Sequence, residues 1–259
     1  VVSAVIDSTS TIPRRIRWRV FRRSLFLQAS WNPKGMQNLG LAWALYPALV
    51  WLYPEPKARQ AALERHLTPF NTHPYVAAAI VGGVLFHEER IARGEEGPER
   101  VEAFKRALMG PLAALGDGFF WLSLKPAVGA LCCALVPALG AWAAVLFVVL
   151  YNAVHLQQRV KLFRLGVHTG DRLVEAVAHE RLPMWGGRLR AVASACAGGI
   201  AAWLALQFGM HQGGWTGPML AAGCLSLGAL AYGLVARGVS TYLLLVFAGL
   251  LAGVAGAFL

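Results

Sequence analysis

Apolar runs of two kinds alternate with polar connections along this chain of 259 residues. Up to residue 125 the runs are short: 39–53, 74–86 and 107–124. A straight crossing helix needs roughly 20 apolar residues. Pro47, Gly110, Pro111 and Gly116 interrupt these segments, so the pattern predicts broken or re-entrant helices, which a bilayer tolerates only where protein or a wet cavity covers the freed backbone groups. Beyond residue 125 the runs lengthen. Residues 126–151, interrupted by Pro137, and then 191–210, 218–236 and 239–259 each predict a span, giving about four transmembrane helices. The last three are rich in Gly and Ala, which let helices approach closely where lipid supplies no hydrophobic drive for association. The expected fold class is an all-α integral membrane protein.

Before the first apolar run, residues 13–30 (PRRIRWRVFRRSLFLQAS) mix six arginines with two incomplete stripes, one of Ile16, Val20 and Leu27 and one of Trp18, Phe21 and Leu25. Arginine stems that snorkel and rings that sit at headgroup level predict an interfacial helix on an anionic leaflet. A solvated basic tail is the alternative. The chain then divides into a basic arm with its interfacial helix (1–38), a broken-helix region with polar residues (39–125), a span with a basic connection (126–190) and a Gly/Ala-rich scaffold (191–259).

Composition sharpens this through placement more than amount. The chain is 57% hydrophobic, 14% charged and carries a formal charge of +11, outside the range of soluble domains. Residues 126–154 hold no charge and 191–259 hold only Arg237. The basic stretches 1–38 and 155–190 read as cytoplasmic by the positive-inside rule, which puts the N-terminus inside and the C-terminus outside. The +11 is therefore topological, and nucleic-acid binding is not expected. Cys132, Cys133, Cys196 and Cys224 lie in apolar runs without metal-ligand spacing and read as packing residues. No secretory leader is read in the first thirty residues. Phosphate-loop, dinucleotide, zinc-protease and serine-nucleophile motifs are absent from the sequence, so no catalytic residue, cofactor or metal is expected.

The chemistry on offer is polar side chains beside the short segments, where burial is costly and function is the default hypothesis. Phe70-Asn71-Thr72-His73-Pro74 precedes the second segment, which ends in His87-Glu88-Glu89. Asn71, Thr72, His73 and Glu88 are of the type that hydrogen-bonds sugar hydroxyls, the amide as both donor and acceptor. An Asn/Thr helix cap followed by Pro accounts for the same pattern without a ligand. Asp117, the one acid inside 107–124, is expected to face a cavity, pair with Lys125 or Arg106, or cap a half-helix. Trp121 is placed either to stack on a pyranose or to sit at the membrane interface. Trp31, Asn32 and Gln37 bring a further aromatic and two amides to the start of the first segment. His66, His155, His168 and His179 show no constellation and read as loop or interface groups.

In this order, SWN at 30–32, MQNLG at 36–40, ALYPAL at 44–49, LYP at 52–54, RHL at 65–67, FNTHP at 70–74, EE at 88–89, LMGPLAALGDGFFW at 108–121 and KP at 125–126 resemble the IID membrane component of the mannose/fructose/sorbose-family phosphotransferase systems. That resemblance implies an elevator-type permease half in the bacterial inner membrane, paired with a homologous IIC subunit in a trimer of IIC/IID pairs. It also implies uptake of a hexose coupled to its phosphorylation by the IIB subunit, itself charged by IIA, with no phosphorylated residue on IID. The chain departs from the family at Pro33-Lys34-Gly35, at Gly118, at Lys125 and in a connection shortened to about 208–217. These departures keep open a non-transporting regulatory or scaffold subunit that recruits soluble phosphotransferase proteins.

Overall fold

The computed structural model describes residues 10–212, 216–240, 243–244 and 246–250, and among them the regular structure is all helical, with turns between the helices and two isolated β-bridges. Helix α1 (Arg14–Ser24) follows Pro13, whose fixed φ suits a helix entry. Val20, Phe21 and Ser24 face inward with Ile12 and Leu27, while Trp18 and Phe26 are 49% and 62% exposed. The two stripes read from sequence thus resolve into one buried face, with Phe21 turned inward and Trp18 outward. The arm packs on α2 (Asn38–Leu52) and α4 (Ala77–Ala92), so it is no free tail. Its entry is tied to α4 by Glu89, which accepts the hydroxyls of Ser10 at 2.7 Å and Thr11 at 2.6 Å and the Thr11 amide.

The short segments expected to be broken are continuous helices. In α2 the ring of Pro47 removes the amide that would bond the carbonyl of Trp43. Arg23 of the arm takes its place, donating Nη1 to the Trp43 oxygen at 3.0 Å with its guanidinium 4.8 Å from the indole centre. The short α3 (Pro56–Glu64) starts with proline in the first turn, where no amide is missed. Twelve of the sixteen residues of α4 are buried, which is why that segment is apolar all round; it is a core helix and no membrane hairpin.

Helix α5 (Glu99–Gly116) begins with Glu99 and Glu102 at its positive end and runs through Pro111 into a π-helical stretch, Asp117–Leu124, and α6 (Lys125–Ala134). The wider turn directly precedes Pro126, whose ring would otherwise crowd the carbonyl four residues back. Glu99–Ala134, 36 residues, is one of two helices among the described residues that are long and apolar enough to cross a membrane; Leu182–Gln207 is the other.

The expected single span 126–151 is not one helix. After the four-residue α7 (Val136–Leu139), Gly140 adopts φ 54°, which a side chain would resist. The chain reverses into α8 (Trp142–Thr169), which packs along α6 and most extensively along α4. Nor is 155–190 a loop: α8 continues to Thr169, followed by a 3₁₀ turn at Gly170–Arg172 and α9 (Leu173–Ala178). Helix α10 (Leu182–Gln212) begins nine residues before its apolar run and packs on α11 (Thr216–Ala236), α6 and the π stretch. The expected span 239–259 falls largely outside the described residues.

Two glycines set the α4–α8 crossing. A Cβ on Gly82 would fall against the backbone of Phe163 and Val167, and one on Gly166 against the backbone of Ala79 and Gly83. The two helices touch main chain to main chain, with no side chain between them.

Candidate functional site

Two loops meet beside α5 and the π-helical stretch that continues it. In the first, the Asn32 and Met36 backbones exchange hydrogen bonds at 3.0 and 2.8 Å, with Met36 at φ 57°, and the Asn32 side-chain Oδ1 accepts the Gly35 N–H at 2.8 Å. Gln37 then reaches across. Its amide Nε2 donates to the Thr72 carbonyl at 2.8 Å and its Oε1 accepts the Thr72 N–H at 3.1 Å, while its own N–H bonds Phe70 O at 2.9 Å. Asn38, part of the MQNLG motif, donates to Leu67 O at 2.6 Å and accepts from Asn32 Nδ2 at 3.0 Å. A shallow cavity of about 270 Å³ lies here, lined by Asn32, Lys34, Gly35, Asn38, Leu39, Leu67 and Pro69. Trp31 stands beside it in sequence, 56% exposed.

The second loop lies on α5. Thr72 Oγ1 donates to Met109 O at 3.0 Å, and the Asn71 amide N–H points to Met109 Sδ at 3.4 Å while the residue stays exposed. His73 is buried in an aromatic box. Its ring stacks on Phe120 (5.2 Å, 13°) and meets Trp121 (4.9 Å) and Tyr75 (5.1 Å) edge-on. It also covers Gly116, where any side chain would strike the imidazole. Burial, with the Arg159 charge adding to it, pushes His73 down to about 4, so the ring is neutral at physiological pH. Its Nδ1 accepts the Tyr75 N–H at 3.3 Å, which assigns the proton to Nε2. That Nε2 is buried and has no hydrogen-bond partner among the described residues. Trp121, at the wall of this box, is 49% exposed.

The π stretch carries Asp117, Phe120 and Trp121 and thereby sets the third side. A π turn re-aims side chains relative to the regular helix and is common at functional sites. Asp117 pairs with neither Lys125 nor Arg106; Arg106 reaches Glu102 instead, at 3.9 Å. Ser123 Oγ bonds the Gly118 carbonyl and receives Arg190 of α10, both at 2.7 Å, which fixes the stretch from outside.

Asn71, His73 and Trp121 are therefore gathered with their binding capacity unspent, and Asp117 adjoins Gly116 beneath the His73 ring. Gln37 and Thr72 come to the same place, but hold the loops together. Glu88 is elsewhere. Fully buried, its carboxylate accepts Arg65 Nε and Nη2 (2.7 and 2.6 Å), the Tyr53 hydroxyl (2.7 Å) and His66 Nε2 (3.0 Å), with Arg65 also bonded to Tyr53. Burial alone would raise this carboxyl, but the hydrogen bonds from Arg65 and His66 reverse the effect and hold it at about 2. Burial lowers His66 against the pull of Glu88, and burial together with the Glu88 charge raises the Tyr53 hydroxyl. Glu88 is thus a saturated internal anchor joining α4 to the 53–66 connection, and this corrects the expectation of a sugar contact. Tyr53, Arg65 and His66 were legible only as part of the LYP and RHL motifs. His155 likewise belongs to a cluster: it stacks on Tyr75 at 4.4 Å and bonds Asn152 Oδ1 at 2.8 Å.

Comparison with known proteins adds an independent line. A family model described as the IID component of the mannose/fructose/sorbose phosphotransferase family matches residues 11–214. The mannose-specific IID component of Escherichia coli CFT073 is 38% identical over 182 residues, 67% of this chain and 63% of that one. The fructose permease IID component of Bacillus subtilis is 34% identical over 179 residues, 68% and 65% of the two chains. The matched part thus spans just under two thirds of either relative. Among solved structures, a chain of the mannose transporter ManYZ in complex with microcin E492 superposes with a TM-score of 0.60 at 28% identity, covering 95% of this chain and 97% of that one. A second membrane protein superposes with a TM-score of 0.69 at 27% identity over 96% and 97%.

Proposed function

Because the chain belongs to the mannose/fructose/sorbose family of phosphotransferase-system IID components, which are membrane proteins, we propose that it is a permease subunit that carries a hexose across the bacterial inner membrane as the sugar is phosphorylated by a IIB partner. It works with a IIC membrane subunit, as a trimer of IIC/IID pairs, and with IIA supplying IIB. Its N-terminus faces the cytoplasm and its C-terminus the outside.

The observation that carries the sugar reading is the buried, unpartnered Nε2–H of neutral His73 beside a half-exposed tryptophan. An uncharged donor suits a neutral sugar hydroxyl, and an indole face suits the C–H face of a pyranose. Asn71 adds an amide that can both give and accept, and Asp117 an acceptor without an ion-pair partner among the described residues. Asn32, which lines the neighbouring cavity, and the exposed Trp31 next to it in sequence extend the surface along which the ring is held. Gln37 and Thr72 position these groups, and none of them transfers a phosphoryl group.

The test is uptake and phosphorylation of external hexoses by membranes carrying this chain with IIC, IIB and IIA subunits. Asn71→Ala and Trp121→Ala are expected to lower uptake roughly tenfold or more, the scale of one lost hydrogen bond left unsatisfied, with protein levels unchanged. Full uptake by both variants would reject the site; no uptake by the wild type would favour the regulatory or scaffold subunit.

A further inference from the structure

Arg159, in the second half of α8, is 6% exposed. Its Nη2 donates to the Pro74 carbonyl at 2.8 Å, and its guanidinium carbon lies 4.8 Å from the Tyr75 ring centre. Neither partner carries a negative charge. Among the described residues every acid in an ion pair is matched to another base: Glu88 to Arg65 and His66, Glu95 to Arg90 and Arg93, Glu96 to His87 and Arg90, Glu102 to Arg106, Asp171 to His87 and Arg100, and Glu180 to Lys161. Arg159 has none. It also sits at the N-terminal end of α4, where the helix dipole is positive and worsens its position. The imidazoles of His73 and His155, which both pack on the same Tyr75 ring, each retain a buried nitrogen without a hydrogen-bond partner among the described residues.

From Leu156, one turn before Arg159, back towards the start of α8, the helix presents apolar side chains to its surroundings: Val145, Val148, Val149 and Leu156 are 41–58% exposed. An apolar helix face with a charge at its margin is the pattern of helix association in membranes, where polar groups act as the glue between apolar surfaces. A hexose is neutral and leaves the guanidinium uncompensated. A phosphate draws several converging donors, whereas one guanidinium matches one carboxylate, fork to fork.

We propose that the exposed face of α8 is a docking surface for a transmembrane helix of the IIC subunit, and that this helix delivers a carboxylate to Arg159. This rests on the permease-subunit reading given above. Docking completes the charge balance at the mouth of α4, next to His73, so assembly and completion of the site are one event.

The test compares the purified chain alone with the chain co-expressed with the IIC subunit of the same genome. Arg159→Met is expected to leave the thermal unfolding of the isolated chain unchanged or raised, because an unbalanced charge is removed, and to reduce IIC co-purification roughly 30-fold or more, as for truncation of one half of a buried pair. Arg159→Lys, which keeps charge without the fork, is expected to fall between. A lowered unfolding temperature of isolated Arg159→Met would place the role of Arg159 within this chain, at Pro74 and Tyr75, and overturn the proposal. Undiminished co-purification would overturn it too, as would stabilisation of the isolated wild type, and not of Arg159→Met, by inorganic phosphate. Failure of the wild type to co-purify with IIC would sink the permease reading instead.

Discussion

The helices around α4 and the α10–α11 pair use the same small residues for opposite reasons. Around α4, glycine is forced. Gly82 and Gly166 place backbone against backbone, Gly83 faces the Phe104 ring, and Gly170, at φ 49°, faces Phe86. Charge is buried there as well, with Glu88, Glu89 and Lys105 all at 4% exposure or less and all hydrogen-bonded. In α10 and α11 the positions of Gly198, Gly199, Gly223, Gly228 and Gly233 have no described atom within 4 Å of where a Cβ would stand. The apolar window of Leu182–Gln207 is 0% buried within this chain. The first region is finished by its own chain. Among the described residues, the second keeps many large apolar side chains outward, and these five glycines have nothing packed against them beyond their own helix.

The sharpest break of that contrast is Glu88→Ala. It leaves the Arg65 guanidinium and the Tyr53 hydroxyl without their acceptor inside the protein, and removal of one half of a buried pair costs about 3–5 kcal/mol. Thermal unfolding of the detergent-solubilised chain reads it. Arg65→Ala combined with Glu88→Ala is expected to cost clearly less than the two single losses added, since the pair fails as a unit. Full additivity would mean that the network does not act as one. Next in size is Gly166→Ala, in which the new methyl meets the backbone of α4 and the helices must part. A loss of about 1–3 kcal/mol is expected, typical of overpacking that cannot be relieved by a rotamer.

The Glu88 network also gives the α4 region a pH signature. Glu88 is held at about 2, below the ordinary carboxylate value, so the native chain is favoured above about 4.5 and this advantage is lost as pH falls towards 2. His66 is lowered from 6.5, so the unfolded chain takes up a proton that the native chain refuses, and stability begins to fall as pH drops below 6.5. Unfolding temperature is therefore expected to decline in two stages on acidification. His73, also lowered by burial, acts in the same direction, so His66→Gln should shrink the upper stage and retain the lower. A curve already flat from pH 7 to 5 in the wild type would refute the assignment to His66.

How far these features could be read beforehand follows from the distance between cause and effect along the chain. The FNTHP and GDGFFW clusters were legible because their chemistry is local: a polar cap beside a proline, and an acid and aromatics in one apolar run. The continuity of α2 was not, since the group that satisfies the Trp43 carbonyl behind Pro47 is Arg23, twenty residues away in the arm. Glu88 looked like a ligand residue because an acid bordering an apolar segment gives the same signal whether it meets sugar or Arg65. His66 seemed isolated because its partner lies 22 residues on. The reversal at Gly140 had a visible sign in Pro137 and Gly140, which hydropathy alone overrode.

The smallest expected effect tests the other side of the comparison. Gly199→Ala in α10 meets no atom of the described chain, and alanine is favoured over glycine in a helix interior by up to about 1 kcal/mol. The isolated chain should therefore gain stability by a few tenths to 1 kcal/mol, opposite in sign to Gly166→Ala. Gly82→Ala, on the other side of the α4–α8 crossing, should lose it. If Gly199→Ala instead destabilises the isolated chain, α10 is already packed closely against its own chain at that depth, and the division into a finished core and an unfinished scaffold fails. If it stabilises the isolated chain but weakens association with a membrane partner, the glycine is held small for a neighbour outside the chain, which is the state that the exposed surface of α10 implies.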